Sequence, residues 1–214
     1  MRIFAEKFAC FKPSAENPSE MPKLPYVDTL FKRRLSQISR MTIECVHSLI
    51  GENSEYSDCK IVFSSFRGEI CRQLKINKAL VEDASISPAN FSIAVFNTPP
   101  AVATIVCKMK GGYTVVFPRD NDFKAALLSA IVSLLSGAEK KIIFSYSDEY
   151  IPLEYKDCKG YSDTLPLSFA CVLSASDSES LEKSAEILLD DDFLSKIAST
   201  PEDFLSFLES KTEK

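Results

Sequence analysis

The sequence predicts an α/β fold in which a parallel or mixed β-sheet is flanked by helices. Three short runs of β-branched and aromatic residues have the length and composition of buried strands: CKIVFSS from Cys59, YTVVF from Tyr113 and KKIIFSYSDE from Lys140. The segments between these runs repeat their apolar residues at the helical period. Strands and helices therefore alternate along the chain, which is the pattern of a sheet covered by helices.

The N-terminal part is predicted to be an irregular arm that covers residues 1–28. Residues 11–28 contain four prolines together with Ser, Asn and Glu, a composition that interrupts regular elements. The preceding stretch, MRIFAEKFACF, is too short an apolar run for a signal peptide, and Glu6 and Lys7 interrupt it. We expect this arm to lie outside the core.

Four helices are predicted between the arm and residue 137. They cover residues 31–50, 69–83, 97–110 and 121–137, and the first and the last show a stripe of apolar residues at helical spacing. The third helix carries Pro99 in its first turn, where a missing N–H costs nothing. The segment SISPAN, residues 85–90, is predicted to be a turn.

Residues 156–214 are predicted to be a C-terminal extension that packs on the same domain as residues 29–155. The extension contains one further strand, LPLSFACVLSAS, and an acidic helix over residues 178–198 that the sequence LDDD interrupts. The last helix has the clearest start signal of the predicted helices, with Thr200 as its cap and Pro201 in its first turn.

Composition excludes several classes of function. The net charge is −5, whereas a nucleic-acid-binding protein needs a basic surface to contact phosphates. No apolar run approaches the ~20 residues that span a bilayer. The seven cysteines form no Cys-x-x-Cys pair, so we expect neither a zinc site nor a disulfide framework. The sequence predicts a cytoplasmic protein with no cofactor and no membrane span, whose thiols behave as small hydrophobic groups.

Candidate catalytic residues are few. His47 is the only histidine, so designs that need several imidazoles are excluded within this chain, and we expect it to make structural or solvent contacts. No glycine-rich phosphate loop and no Gly-x-Ser-x-Gly motif is present. Asp120 and Asp122 lie where a helix begins and have the position of helix caps.

Two further features allow two interpretations each. Asp148 and Glu149 follow a strand directly, so they either approach a crevice at the carboxyl ends of the strands or merely end the strand with charged residues. The cluster from Lys32 to Arg40 is either a solvated face or a docking surface for an acidic partner. Arg33, Gln37 and Arg40 can share one helix face.

In combination, several segments resemble a known family. FKRRLSQISRM, IVFSSFRGE, SPANFSIAVFN and SAIVSLLSGAEKKIIFSYSDE occur in an order and at a spacing similar to those of the N-terminal domain of β-ketoacyl synthases. The resemblance covers roughly residues 25–155 and extends more weakly beyond. It is closest to the short ketosynthase-like subunits of bacterial type II fatty-acid, polyketide or aryl-polyene pathways.

The resemblance implies a thiolase-like fold, of which this chain would be about one half. In full ketosynthases an acyl-accepting cysteine stands at a corner between strand and helix, and two histidines from the other half assist it. The cysteine position falls at or beside Asn121 and Asp122, where the chain has an amide and an acid. The resemblance therefore implies that this corner, the nucleophile elbow of the full enzymes, has lost its nucleophile, and that the chain has no catalytic residue.

The loss resembles chain-length-factor subunits, which pair with a competent ketosynthase. The expected partners are a full-length β-ketoacyl synthase, with residues 93–106 and the elbow helix near the contact, and an acyl carrier protein. Arg33, Arg34 and Arg40 are the candidate carrier-protein contacts. Two alternatives remain at this point: a stand-alone thioester hydrolase or decarboxylase that uses Asp122 or a cysteine, and a module that only docks carrier protein.

Overall fold

A computed structural model describes residues 2–51, 54–158, 165–176 and 185–212. Its centre is one six-stranded sheet with the order β3-β2-β4-β5-β1-β6. β2 runs parallel to β3 and β4, and the other neighbouring pairs are antiparallel, so the predicted mixed sheet is confirmed. The strands are β1 Arg2–Phe11, β2 Lys60–Ser64, β3 Tyr113–Val116, β4 Lys141–Asp148, β5 Leu167–Ser176 and β6 Ala185–Ile187.

Helices cover both faces of the sheet. On one face α2 and α5 bury Ile38 and Val102 against sheet residues such as Phe63. On the other face α6 and α7 bury Phe123 and Phe204 against a second apolar cluster. The helices are α1 Thr29–Lys32, α2 Gln37–Ile50, α3 Ile70–Asp83, α4 Pro88–Phe91, α5 Thr98–Val106, α6 Phe123–Leu135 and α7 Pro201–Thr212.

The prediction of an irregular arm from residue 1 is wrong for Arg2–Phe11, which form β1 between β5 and β6. The register shifts between Ala5 and Lys7, so Glu6 is the extra residue of a bulge, and the alternation that marks a strand is broken there. Glu6 and Lys7, which interrupt the apolar pattern of this strand in the sequence, both have partners in the structure. Glu6 accepts from Lys141 Nζ at 3.1 Å, and Lys7 Nζ donates to the Leu49 carbonyl at 3.0 Å.

The helix predicted from residue 31 to residue 50 is two helices. α1 ends at Lys32, and α2 starts at Gln37 because the Ser36 hydroxyl accepts from the Ser39 N–H at 3.2 Å and caps it. The predicted turn at residues 85–90 is also wrong in part, since the short helix α4 begins at Pro88. The helices predicted at 69–83, 97–110 and 121–137 are confirmed as α3, α5 and α6.

The acidic helix predicted over residues 178–198 is wrong where the structure describes it. Residues 185–187 form the edge strand β6, in which Ile187 pairs with Ile3, and Phe193–Ile197 form a short π-helical turn. Residues 178–184 lie outside the described part. Pairing with β1 and burial of Ala185 and Ile187 outweigh the helix propensity of this acidic segment.

The last helix is confirmed as α7. The Thr200 hydroxyl accepts from the Asp203 N–H at 3.1 Å and donates to its carboxylate at 2.7 Å. Phe204 and Leu208 of α7 are buried against α6 and the sheet. The C-terminal segment therefore covers one face of the sheet itself. Within the described ranges, every helix is too short or too polar to cross a bilayer.

Candidate functional site

The corner between β3 and α6, which we call the elbow, consists of residues 118–122. Pro118 leads into a single 3₁₀ turn, Arg119–Asn121, and α6 begins two residues later. Asp120 and Asn121 have positive φ angles, 54° and 57°. Asp and Asn tolerate this left-handed region better than other residues that carry a Cβ. The sequence thus supplies residues that can make a sharp corner, and supplies no thiol or hydroxyl there.

The two acids of the elbow have structural contacts. Asp122 caps α6, because its Oδ1 accepts from the Ala125 N–H at 3.2 Å. Asp120 points to solvent and pairs with Arg119 at 3.3 Å, and both side chains are at least 87% exposed. The cap predicted for Asp122 is confirmed. Asn121, between the two acids, lines a cavity.

That cavity, which we call the crevice, has a volume of about 200 Å³ and lies at the carboxyl ends of β2 and β4. Its walls come from the residues after β2, the end of β4, the elbow and the start of α7. Asp148 and Glu149 are both among its lining residues. Of the two interpretations that the sequence left open for these acids, the approach to a crevice is the one confirmed.

Asp148 is almost completely buried and accepts from several donors. The Ser65 hydroxyl donates at 2.6 Å and the Tyr146 hydroxyl at 2.7 Å. The N–H groups of Phe66 and Arg67 donate at 3.1 and 3.2 Å, and Arg67 Nη1 at 3.2 Å. Burial raises the pKa of Asp148, and these donors act in the opposite direction. With both oxygens engaged, the carboxylate fixes the loop after β2 rather than acting as a free base.

Glu149 is 2% exposed and joins two helices at their N-termini. Its Oε1 accepts from the Cys71 N–H of α3 at 2.9 Å, and its Oε2 accepts from the Ile38 N–H of α2 at 3.4 Å. Burial, followed by the nearby charge of Glu69, raises the pKa of Glu149 to about 8. Glu149 is therefore mostly protonated at neutral pH.

Glu69 is a second buried carboxyl group at the same junction. It accepts from the hydroxyls of Ser36 at 2.8 Å and Ser39 at 2.7 Å, and it pairs with Arg72 Nε at 3.2 Å. Burial raises its pKa, which the serine donors and Arg72 partly offset. Sequence reasoning missed Glu69. A glutamate directly before a helix was its only signal.

Two cysteines, Cys71 and Cys107, are poor candidates for a nucleophile. Cys71 and Cys107 are half-buried, and burial raises the pKa of each thiol to about 12. Neither lines the crevice. The predicted structural role of His47 is confirmed, since its ring stacks on Tyr26 with the centroids 3.6 Å apart. Over the described ranges, no three potential metal ligands come together.

The basic cluster borders a larger, open groove of about 930 Å³ between the arm, α1, α3 and α4. Arg33 and Arg34 line this groove. Arg40 does not, because its Nη2 donates to the Lys32 carbonyl at 2.8 Å and its Nε is buried. The predicted grouping of Arg40 with Arg33 on one exposed face is therefore wrong. Lys75, from α3, lines the groove and was missed by sequence reasoning.

Solved structures of ketosynthases share this fold. A ketosynthase in complex with its chain length factor from Xenorhabdus doucetiae matches with a TM-score of 0.69 and 24% identity, over 82% of this chain and 80% of that chain. The ishigamide ketosynthase/chain length factor matches with a TM-score of 0.64 and 10% identity, over 84% of this chain and 64% of that chain. A ketosynthase from module 6 of the bacillaene synthase of Bacillus subtilis matches with a TM-score of 0.60 and 9% identity, over 87% of this chain and 39% of that chain.

These matches confirm the thiolase-like fold predicted from the resemblance. Residues 9–205 match the family described as beta-ketoacyl synthase, N-terminal domain, and the chain belongs to this family. The match begins within β1 and ends within α7, so it extends beyond residues 25–155 at both ends. A search of curated proteins finds no match to the sequence.

Proposed function

We propose that this protein is a non-catalytic, chain-length-factor-like subunit that pairs with a full-length β-ketoacyl synthase in the cytoplasm. The observation that carries the proposal is the elbow, which keeps its sharp backbone but has Asp120, Asn121 and Asp122 where an acyl group would need a thiol. A carboxylate or an amide cannot form the thioester that condensation requires. The chemistry must then come from a second polypeptide.

The open edge of the sheet supports a partner at β3. β3 pairs with β2 on one side, and its other side has no neighbouring strand among the described residues. An unpaired edge strand is a template for the addition of a strand from another chain. Because the elbow follows β3 directly, a partner at this edge would lie beside the elbow.

Exposed apolar side chains lie at the end of β3 and on the segments that precede and follow it in the chain. They come from the segments before α5, from α5, from the end of β3 and from α6, and we call them the β3 face: Val95, Ile105, Phe117, Val132 and Leu135. Each is at least 40% exposed. Clusters of this kind on a monomer mark protein interfaces. The β3 face falls on residues 93–106 and the elbow helix, which the sequence predicts to lie near the contact.

Aromatic packing connects the β3 face to the core. Phe117 packs edge-to-face on Phe96 with the ring centroids 4.9 Å apart, and Phe96 packs on the buried Phe63 at 6.3 Å. Phe117 is nevertheless 65% exposed. A rigid, half-supported aromatic side chain is a typical anchor in a protein interface.

Co-expression with the ketosynthase encoded nearest to this chain tests the proposal. We expect a stable heterodimer by size-exclusion chromatography and no turnover of malonyl- or acyl-carrier-protein by the isolated chain. Phe117→Asp and Val132→Asp should each weaken the complex at least tenfold, since a charge would be buried in the contact.

Val81→Asp is the matched control, because Val81 is 85% exposed and lies on α3, which contributes no residue to the β3 face. It should leave the affinity unchanged. A complex that tolerates both β3-face substitutions as well as it tolerates Val81→Asp would refute this interface. Turnover by the isolated chain that is lost in Asp122→Ala would favour the alternative, a stand-alone hydrolase or decarboxylase.

Docking of an acyl carrier protein is a second function that the groove supports. In the described part of the chain, the side chains of Arg33, Arg34 and Lys75 have no acidic partner, although the whole chain carries a net charge of −5. The groove also exposes apolar wall residues such as Ile76. Unpaired cations beside an apolar floor suit an acidic, amphipathic surface.

Charge reversal tests this docking surface. Arg33→Glu should weaken carrier-protein binding several-fold and reduce its dependence on salt, because screened charge pairs are lost. Lys140→Glu is the control, since Lys140 is exposed at the opposite, amino end of β4. Equal affinities of the two variants, measured by calorimetry at low and at physiological salt, would remove carrier docking from the groove.

A further inference from the structure

The helix pair α3–α4, which we call the hairpin, is attached to the body of the protein mainly at the start of α3. None of the 14 residues of α3 is buried, and residues 81–92 are all exposed. Near its far end, Lys78 pairs with Glu154, but both side chains are about half exposed, and such a pair contributes little. The hairpin therefore depends on the contacts at its root more than on side-chain packing.

Two carboxyl groups make those root contacts. Glu149, at the end of β4, accepts from the Cys71 N–H at 2.9 Å and from the Ile38 N–H of α2. Glu69, directly before α3, accepts from Ser36 and Ser39 at the start of α2. Glu149 thus joins the N-termini of α2 and α3 to the end of β4, and Glu69 joins the start of α3 to the start of α2.

The arrangement is electrostatically frustrated. Both carboxyl groups are buried, and the charge of Glu69 is one of the two causes that disfavour ionisation of Glu149. Arg72 is the cation paired with Glu69. Several titratable and charged groups lie on the elements packed around Glu149. They are Glu69, Cys71, Arg72 and Lys75 of α3 and its root, Arg40 of α2, Arg33 and Arg34 beside the groove, Arg67 and Glu202 beside the crevice, and Asp148 and Tyr150 next to it on the chain.

We propose that Glu149 and Glu69 form a proton-dependent latch that holds the hairpin against α2 and the sheet. With one proton between them, the junction holds a single negative charge that Arg72 and the serine hydroxyls neutralise. Loss of that proton places two negative charges in a buried site. The hairpin is the element that can yield, because it carries Glu69 and has no buried side chains of its own.

The direction of the pH effect follows from linkage. The pKa of Glu149 is raised from 4.5 to about 8 in the closed structure. Closure is therefore most favourable below pH 4.5, weakens as pH rises towards 8, and changes little above it. Glu149 lines both the groove and the crevice, so opening of the hairpin would widen the groove that Arg33 and Arg34 border.

Amide hydrogen exchange between pH 5.5 and 8.5 tests the latch on the complete chain. After correction for the intrinsic exchange rate, the opening constant of residues 72–83 should rise by up to about tenfold per pH unit below pH 8 and then level off. Amides of α6, whose inner face is buried, serve as the internal reference and should not follow this profile.

Glu149→Gln is the decisive variant, because the amide keeps an oxygen for the Cys71 N–H and removes the charge. It should abolish the pH dependence of exchange in α3 and raise protection at pH 8. Glu154→Gln breaks the exposed pair with Lys78 and should retain the wild-type profile. A wild-type α3 whose protection is independent of pH would overturn the latch, and so would an unchanged slope in Glu149→Gln.

Discussion

At the residue scale, buried polar side chains decide what this site can do. Asp148, Glu149 and Glu69 are buried acids at or beside the crevice and the groove, and each accepts hydrogen bonds from named donors. Their raised pKa values come from burial first. Perturbed acids in a cleft often mark a catalytic centre, but ion-pair networks perturb pKa values too. Here the hydrogen bonds indicate a structural role.

Asp148 allows a direct test of that role. Asp148→Ala removes a carboxylate that accepts from the buried Ser65 and Tyr146 hydroxyls and pairs with Arg67, so we expect a loss of about 3–5 kcal/mol in the free energy of unfolding. Tyr146→Phe removes one donor and should cost only about 1 kcal/mol.

Urea unfolding at pH 7 measures both Asp148→Ala and Tyr146→Phe. A cost for Asp148→Ala no greater than that of Tyr146→Phe would show that the five contacts contribute little, and would reopen a catalytic role for this acid.

At the element scale, local signals mark the helix ends. Ser36, Asp122 and Thr200 each cap a helix through a side-chain oxygen. Gly111 has a different role, because a Cβ there would lie 2.4 Å from the Cys59 carbonyl carbon. Only a glycine therefore lets the chain enter β3 so close to the start of β2.

The cap of α7 gives a prediction at this scale. Thr200→Ala removes the acceptor of the Asp203 N–H and should cost about 1 kcal/mol of stability. Ser206→Ala, on an exposed position of the same helix, should change stability by less than about 0.5 kcal/mol. Thermal unfolding of both variants provides the measurement, and equal melting temperatures would contradict the capping role.

The elements that sequence reasoning missed share one physical cause. β1 contains a bulge at Glu6, and β6 has only three residues, so neither presents the regular alternation that identifies a strand. Both are formed by pairing with residues far away in the sequence: β1 with β5, and β6 with β1. α4 is a single turn whose proline also suits a turn. Such elements depend on tertiary contacts more than on local propensity.

At the scale of the whole molecule, helices cover both faces of the sheet, whereas its two edges differ from each other. α7 and α6 close one face, and α2 and α5 close the other. The β6 edge is a short strand, which limits further pairing. Among the described residues the β3 edge has no further strand, and exposed apolar side chains lie at the end of β3 and on α5. The β3 edge is therefore the side on which we propose that a partner binds, and the elbow follows β3 directly along the chain.

The sequence by itself determined the central β2–α6 region, the alternation of strands and helices, and an elbow without a thiol, because these depend on local periodicity, caps and residue identity. Only the tertiary structure decided that residues 2–11 join the sheet, that Arg40 turns inward while Lys75 joins the groove, and that Glu69 and Glu149 lie at the same helix junction. Those outcomes depend on which distant segments pack together. Pairing and burial energies are set by neighbours in space, and a residue's neighbours in sequence carry little information about them.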